Sequence, residues 1–278
     1  MPYSPLVSVN SQWRLFLNRR IHVPVRDEDL VLDVGSGDKP SWRADVLLDR
    51  YAGAEHSAQR SGRSSARVTR PLFDADAAHM PFADGAFDYA ICSNLLEHVT
   101  DPLGVANELT RVARAGFIEV PEAASAKIVD FPSHLWWCRF DETDPDAPTL
   151  VMTAKTTPYF DAEIDAYIER AGVRQALDDV LYRRMEHRAI LYHWSGAVRL
   201  RTEGQLDPDF AAAAMMAPGH KRTWEAIAVR WVTSVLTART RMRRRWVRVR
   251  YNQVVKPEFR RADDPILERR IYRVGDPS

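Results

Sequence analysis

Val31-Leu32-Asp33-Val34-Gly35-Ser36-Gly37-Asp38 is the stretch that decides the architecture. An apolar run passes into Asp-x-Gly-x-Gly, the pattern of a buried parallel strand that ends in a tight turn. Such a turn needs glycine because the backbone bends sharply and comes close to a ligand, where a Cβ would obstruct. Two glycines after a strand say little alone. Their weight comes from the motifs further along the chain.

Around the first strand, at residues 29–34, the sequence predicts four more: 45–49, 69–73, 87–92 and 117–120, the last stopped by Pro121. Residues 102–112 have helical spacing, with Leu103, Ala106, Leu109 and Val112 on one face. Strands alternating with helices predict an α/β, Rossmann-like, doubly wound and mostly parallel sheet, with ligands at the carboxyl ends of its strands. Past Pro121 the pattern changes. Residues 134–141 and 149–155 read as an antiparallel hairpin around a proline- and aspartate-rich turn. Residues 158–171 read as a helix with Pro158 in its first turn and Gly172 at its end, and 184–194 as another strand. Residues 59–66 form a serine- and arginine-rich loop. From His220 to about Tyr251 one long helix is expected, with Trp224, Ile227, Trp231, Val235 and Leu236 on its apolar side.

This order divides the chain into an N-terminal segment (1–28), a ligand-binding core (29–121), an acceptor region (122–200) and a basic, helical C-terminal region (201–278). A length of 278 residues with 45% apolar content can bury one large core plus an appendage. Cys92 and Cys138 cannot make a disulfide framework and read as reduced thiols, and no run reaches membrane-spanning length, so a cytoplasmic protein is expected. A net charge of +1 hides an uneven distribution: ten basic residues lie between His220 and Arg250, with Glu225 the one acid.

The best discriminator is the block from Asp76-Ala77 through Met80-Pro81-Phe82 and Phe87-Asp88 to Ser93-Asn94-Leu95-Leu96-Glu97-His98. Together with the glycine turn it resembles class I S-adenosylmethionine-dependent methyltransferases of the type 11-like branch, over roughly residues 31–121 and with four motifs in family order. The resemblance implies S-adenosyl-L-methionine as cofactor. Asp33 would face the methionine amino group, while Gly35, Ser36 and Gly37 let backbone approach its carboxylate and sugar. Asp49, with Arg50 after it, ends the second strand where ribose hydroxyls donate to a carboxylate. Asp76 and Ala77 would read the adenine edge, and Ser93 and Asn94 would lie beside the reacting methyl. Two departures stand out. Lys39 and Pro40 occupy the place of a third glycine, and only 16 positions separate Asp33 from Asp49 where about 20 are usual, so the first helix must be short. A dinucleotide is disfavoured, because Asp38 would repel a diphosphate.

For the acceptor, the segment after the fifth strand supplies Glu122, Asp130, Trp136, Trp137 and Arg139. Aromatic faces flanked by acids suit a sugar or other polyol. His134 is the first choice of general base for methylating a hydroxyl and His98 the second. A divalent ion such as Mg2+, held by Glu122, Asp130 and Asp141, could take the place of the base. These features, with a loose likeness around 116–121 and 132–136 to bacterial glycan methyltransferases, predict O-methylation of a sugar or oligosaccharide in actinobacterial polysaccharide synthesis. The alternative is a lipid or quinone acceptor at a membrane surface, with the basic C-terminal helix making peripheral contact. A nucleic-acid partner is disfavoured, since Ser93-Asn94-Leu95-Leu96 stands where base methyltransferases carry an Asp/Asn-Pro-Pro-aromatic motif. A non-enzymatic cofactor-binding role is the remaining rival.

Overall fold

A computed structural model describes residues 23–50, 65–182, 185–216 and 247–274, with residues 228, 231, 232 and 235 between the last two spans. Its centre is β1 (Val31–Val34), whose four residues are all buried. Successive side chains of a strand face opposite ways. Leu32 and Val34 therefore enter the main apolar cluster, while Val31 joins Tyr89, Ile91 and Phe117 on the other face. A strand covered on both faces needs an unbroken apolar run, which is what this stretch supplies.

β2 (Val46–Asp49) and β4 (Phe87–Ser93) pair with β1 in parallel on its two sides. β3 (Leu72–Asp74) adds to β2, and β5 (Ala113–Pro121) to β4, again in parallel. The order 3-2-1-4-5 is that of the doubly wound sheet, with its reversal point between β1 and β4. The chain has a Rossmann-like, doubly wound and mostly parallel fold. The expected strands are present within a few residues, and the helix Pro102–Val112 is where the spacing puts it, capped by Asp101, which accepts from the Gly104 amide at 2.8 Å. Its buried face is Val105, Ala106, Leu109 and Val112; Leu103, expected on that face, is exposed.

Other expectations are corrected. No helix lies between β1 and β2; residues 35–45 form turns only, because Pro40 and the short spacing leave no room for one. The helix expected over 158–171 runs Ala162–Ala171, started by Asp161 and ended by Gly172 at φ 65°. Pro158 lies outside it, its carbonyl accepting from Lys155 Nζ at 2.8 Å. Of the strand expected over 184–194, the first part is helical (Met185–Arg188), and only β8 (Ala189–Ser195) is extended, pairing antiparallel with β5. The long basic helix falls mostly outside the described residues, as does the loop at 59–64. Its described positions 228, 231, 232 and 235 are helical, with Trp231 and Val235 exposed. It does not reach Tyr251: residues 247–249 carry no regular structure, and a short helix, Tyr251–Val254, comes after them. Among the described residues no helix is long and apolar enough to cross a membrane.

The hairpin forms as expected, β6 (Trp136–Asp141) against β7 (Thr149–Ala154), and β9 (Leu200–Glu203) joins β7 in parallel to make a second sheet. Its Cys138, Leu150 and Met152 enter the same apolar cluster as β1. So do Tyr251, Val254 and Tyr272. β10 (Ile271–Tyr272) closes the β3 edge, stacking Tyr272 on Phe73 with ring centroids 5.3 Å apart.

Gly116 marks the tightest point of the sheet. A Cβ there would lie 2.4 Å from the Ala90 carbonyl oxygen and 2.5 Å from the Trp194 ring. The first neighbour is backbone of a paired strand and cannot retreat. Gly116→Ala should destabilise the fold by about 3 kcal/mol, the upper end of overpacking costs. Chemical denaturation with the slope held constant would check this.

Candidate active site at the carboxyl ends of the strands

Parallel pairing brings the carboxyl ends of β1, β2, β3 and β4 to one rim. At β1 the chain turns through Gly35 (φ 74°) and Gly37 (φ 48°), conformations that a side chain resists. The Gly35 and Ser36 amides both donate to the Leu48 carbonyl, at 2.9 and 3.2 Å, which ties the turn to β2. A Cβ on Gly35 would press within 2.9 Å of Leu95, whereas one on Gly37 would meet nothing nearer than 3.9 Å. Gly35 is thus needed for packing, whereas at Gly37 the left-handed backbone and not crowding disfavours a side chain.

Asp49 ends β2 and accepts from the Gly37 amide at 2.8 Å. Arg50 crosses to Asp76 at 2.8 Å, and the other Asp76 oxygen accepts from the Ala78 amide. Ala77 is buried beside it. Asp33 is 4% exposed and accepts from the Ser41 amide at 2.6 Å, so the turn folds over this carboxylate. The structure therefore places Asp33, Gly35, Ser36, Gly37, Asp49, Arg50, Asp76 and Ala77 along one rim. Ser36 Oγ is buried there without a hydrogen-bond partner, an uncommon state for a hydroxyl that a bound polar ligand would relieve. The loop through Met80 and Phe82 is clamped from behind: the Met80 amide donates to Glu108, and Arg111 donates to the Phe82 carbonyl at 2.7 Å.

β4 delivers Ser93 and Asn94 to the same rim. Asn94 is held at φ 53°, its amide donating to the Glu119 carbonyl at 2.8 Å and its side chain to Glu119 Oε1 at 3.2 Å. Glu119 is itself buried. The sequence assigned it no role, although an acid inside the apolar run 117–120 is the signal that could have found it.

The two candidate bases meet. His98 lies in the 3-10 turn Leu96–His98, and the segment 130–135 folds onto that turn, the Leu135 amide donating to the Glu97 carbonyl at 2.7 Å. The His98 and His134 rings stand edge to face, 4.8 Å apart. Burial holds His98 down at about 4 and pushes His134 well below its ordinary value, so both imidazoles are neutral at physiological pH. Glu97, 1% exposed, is pushed up to about 8 by burial and by Glu119.

The expected acceptor wall is corrected. Trp136 is buried and its indole donates to the Val99 carbonyl at 2.8 Å, making it core. Trp137 carries Lys155 Nζ 4.5 Å from its ring centre, so its face is covered. Arg139 pairs with Glu203 at 2.7 Å. Nor do Glu122, Asp130 and Asp141 gather as metal ligands. Glu122 caps the helix Ala123–Ile128 through the Ser125 amide. Asp141 pairs with Arg201 at the far end of β6, roughly 16 Å along the strand from Trp136. Asp130 is tied to Lys155 at 2.6 Å, with Lys155 1% exposed.

That buried pair positions His134, because Lys155 also donates to the Pro158 carbonyl and its amide donates to the Leu135 carbonyl. Nothing in the sequence singled out Lys155.

Residues 32–118 match a family model described as a methyltransferase domain. The matched span holds the rim from Leu32 to Asn94 and the Leu96–His98 turn. An uncharacterized methyltransferase of Mycobacterium sp. (strain KMS) is 37% identical over 94 residues, covering 32% of this chain and 36% of that protein. One from Mycobacteroides abscessus is 32% identical over 99 residues, covering 32% and 38%. The chain spans a little over a third of the length of these relatives. Among solved structures, a protein from Pyrococcus horikoshii OT3 gives a TM-score of 0.36 at 13% identity, covering 66% of this chain and 90% of that one. A SAM-dependent methyltransferase from Methanosarcina mazei gives 0.29 at 19%, covering 45% and 72%. Strand order and register, and not these likenesses, define the fold.

Lys155→Met removes the ammonium and keeps the apolar stem, leaving the Asp130 carboxyl buried alone. The loss should be about 3–5 kcal/mol at neutral pH. Asp130 already sits at about 6 in the fold, raised by burial against its ordinary 3.8. A carboxyl raised in the folded state loses stability as pH rises through its folded value, and without Lys155 that value rises further. The variant should therefore melt closer to wild type at pH 4 than at pH 8, measured by thermal denaturation at both.

Proposed function

We propose that this chain transfers the methyl group of S-adenosyl-L-methionine to a hydroxyl oxygen of its acceptor. The observation that carries the reading is the rim itself. Gly37 takes a left-handed turn over the Asp49 carboxylate, Asp49 ends β2, Asp76 lies just past the end of β3, Ser36 Oγ lacks a partner, and Asn94 closes the side toward β4. Asp49 would accept from the ribose hydroxyls and Asp76 with the Ala77 amide would meet the adenine edge. Asp33, beneath the turn, would act on the methionine amino group as a fixed negative field.

The sulfonium supplies the leaving group: sulfur keeps the electron pair of the breaking S–C bond while the acceptor oxygen forms the new O–C bond and loses its proton. The chain's part is alignment and proton removal. A neutral imidazole at His98 or His134 accepts that proton, although depressed basicity makes either a weaker base than an exposed histidine. With Trp136 in the core and Trp137 covered, the sugar preference rests on the hydroxyl chemistry of this cluster and no longer on a stacking platform. A glycoside acceptor remains the reading argued from the sequence, within bacterial glycan synthesis.

One observation favours a lipid-type acceptor instead. Ile128, Phe160 and Ile164 are all at least half exposed along a shallow cleft that Asp130, Tyr159, Asp161 and Asp165 also line, and Lys127 stands 4.9 Å over the Phe160 ring. Apolar side chains beside a cation suit an amphiphile.

Calorimetry with S-adenosyl-L-methionine and its demethylated product should show binding of both. Asp49→Ala should weaken both at least tenfold, the loss of hydrogen bonds to a charged group at about 1.5–3 kcal/mol. Absence of binding by either compound overturns the reading. A screen of glycosides, phenols and long-chain acceptors with labelled methyl donor then separates the two acceptor classes by which one takes up label.

A further inference from the structure

Glu97, His98 and His134 each offer one ligand atom, and the three atoms lie within 4.8 Å of one another. Their surroundings leave these groups short of partners. His98 Nδ1 is 2.9 Å from the Ser133 carbonyl oxygen, which can only accept, so Nδ1 carries the hydrogen and Nε2 presents its lone pair. That lone pair is 3.9 Å from Glu97 Oε1. Glu97 Oε2 and His134 Nδ1 are both buried without a hydrogen-bond partner. Buried polar atoms without a hydrogen-bond partner are costly, and two of them belong to this one cluster, with His134 Nδ1 also 4.0 Å from Asp130 Oδ1.

We propose that Glu97, His98 and His134 bind a divalent first-row transition-metal ion of the zinc type, with at least one coordination position left for an oxygen ligand. Two imidazoles and one carboxylate form a borderline donor set, suited to Zn2+ and its neighbours and poorly suited to Mg2+ or Ca2+, which take oxygen. The Ser133 carbonyl on Nδ1 is the outer-shell contact that orients a ligating histidine. Metal–ligand bonds of about 2.0–2.2 Å put ligand atoms roughly 3.3–3.5 Å apart. The widest separation among the three ligand atoms must therefore close by about 1.4 Å. Lys155 and Arg188 lie near enough to oppose added positive charge on His134, but Lys155 is paired with Asp130, and Glu119 adds negative charge on the Glu97 side.

The role of the ion, though not its binding, rests on the proposed function. The cluster lies just past Ser93 and Asn94 at the end of β4, so an open position there would hold the acceptor hydroxyl and lower its pKa, which two weakly basic imidazoles do poorly.

The test is calorimetry of the full chain, stripped with chelator, titrated with ZnCl2 and separately with MgCl2. One zinc equivalent should bind at micromolar Kd or tighter, with no magnesium heat. Cobalt substitution should give visible absorption bands of a low-coordinate nitrogen and oxygen site. His98→Ala, His134→Ala and the isosteric Glu97→Gln should each weaken zinc at least tenfold, with melting curves checking the fold. Failure of zinc to bind the wild-type chain, or unchanged affinity in all three variants, overturns the proposal. Methyl-donor binding measured on the same samples keeps the two readings apart. Donor binding without zinc sinks the metal site alone, and zinc binding without the donor sinks the proposed function alone.

Discussion

Everything in this molecule is referred to β1. It is paired on both edges and covered on both faces, so neither its register nor its direction can change without breaking the whole sheet. The backbone that leaves it must turn at once, since the strand beyond Val34 has no further partner. That turn hangs on Leu48 and on the Asp49 carboxylate, so that two adjacent strands define one loop. Stability and ligand geometry are thus set by the same few residues.

The central sheet was legible because its signals are local. A run buried on both faces must be apolar throughout, and 31–34, 46–49 and 87–93 all are, broken mainly by acids at or near their ends. The Pro102–Val112 helix was legible through its spacing, yet the exposure of Leu103 was not, since which side of an apolar arc faces the sheet depends on how the helix is docked. The N-terminal ends of helices were misread where a proline outweighed a capping aspartate: Asp161, whose carboxylate accepts from two amides, starts the helix that the sequence pattern began at Pro158. Least legible were pairings between distant segments. Neither β10 nor the Lys155–Asp130 contact has a local pattern, because each is decided by what the fold brings next to it.

The site divides in the same way. The acids at strand ends could be placed from the motif order, whereas the acceptor side could not, because Trp136 and Trp137 differ only in the face of β6 they occupy. One is core and the other lies under a lysine. His98 and His134 were each visible as histidines near acids, but their meeting depends on residues 130–135 folding back over the 3-10 turn. Burial then sets their chemistry: with Glu97 lifted and both imidazoles lowered, the cluster is uncharged on its own.

The β3 edge has a bearing on how the chain is made. Leu72 waits for Ile271, a partner synthesised about two hundred residues later. Until that segment leaves the ribosome, the β3 edge stays open and Phe73 lacks its cover of Tyr251 and Tyr272. A nascent sheet with one raw border is an invitation to mispairing with other chains. Yield on expression should therefore depend on the closing strand as much as on any residue of the central sheet.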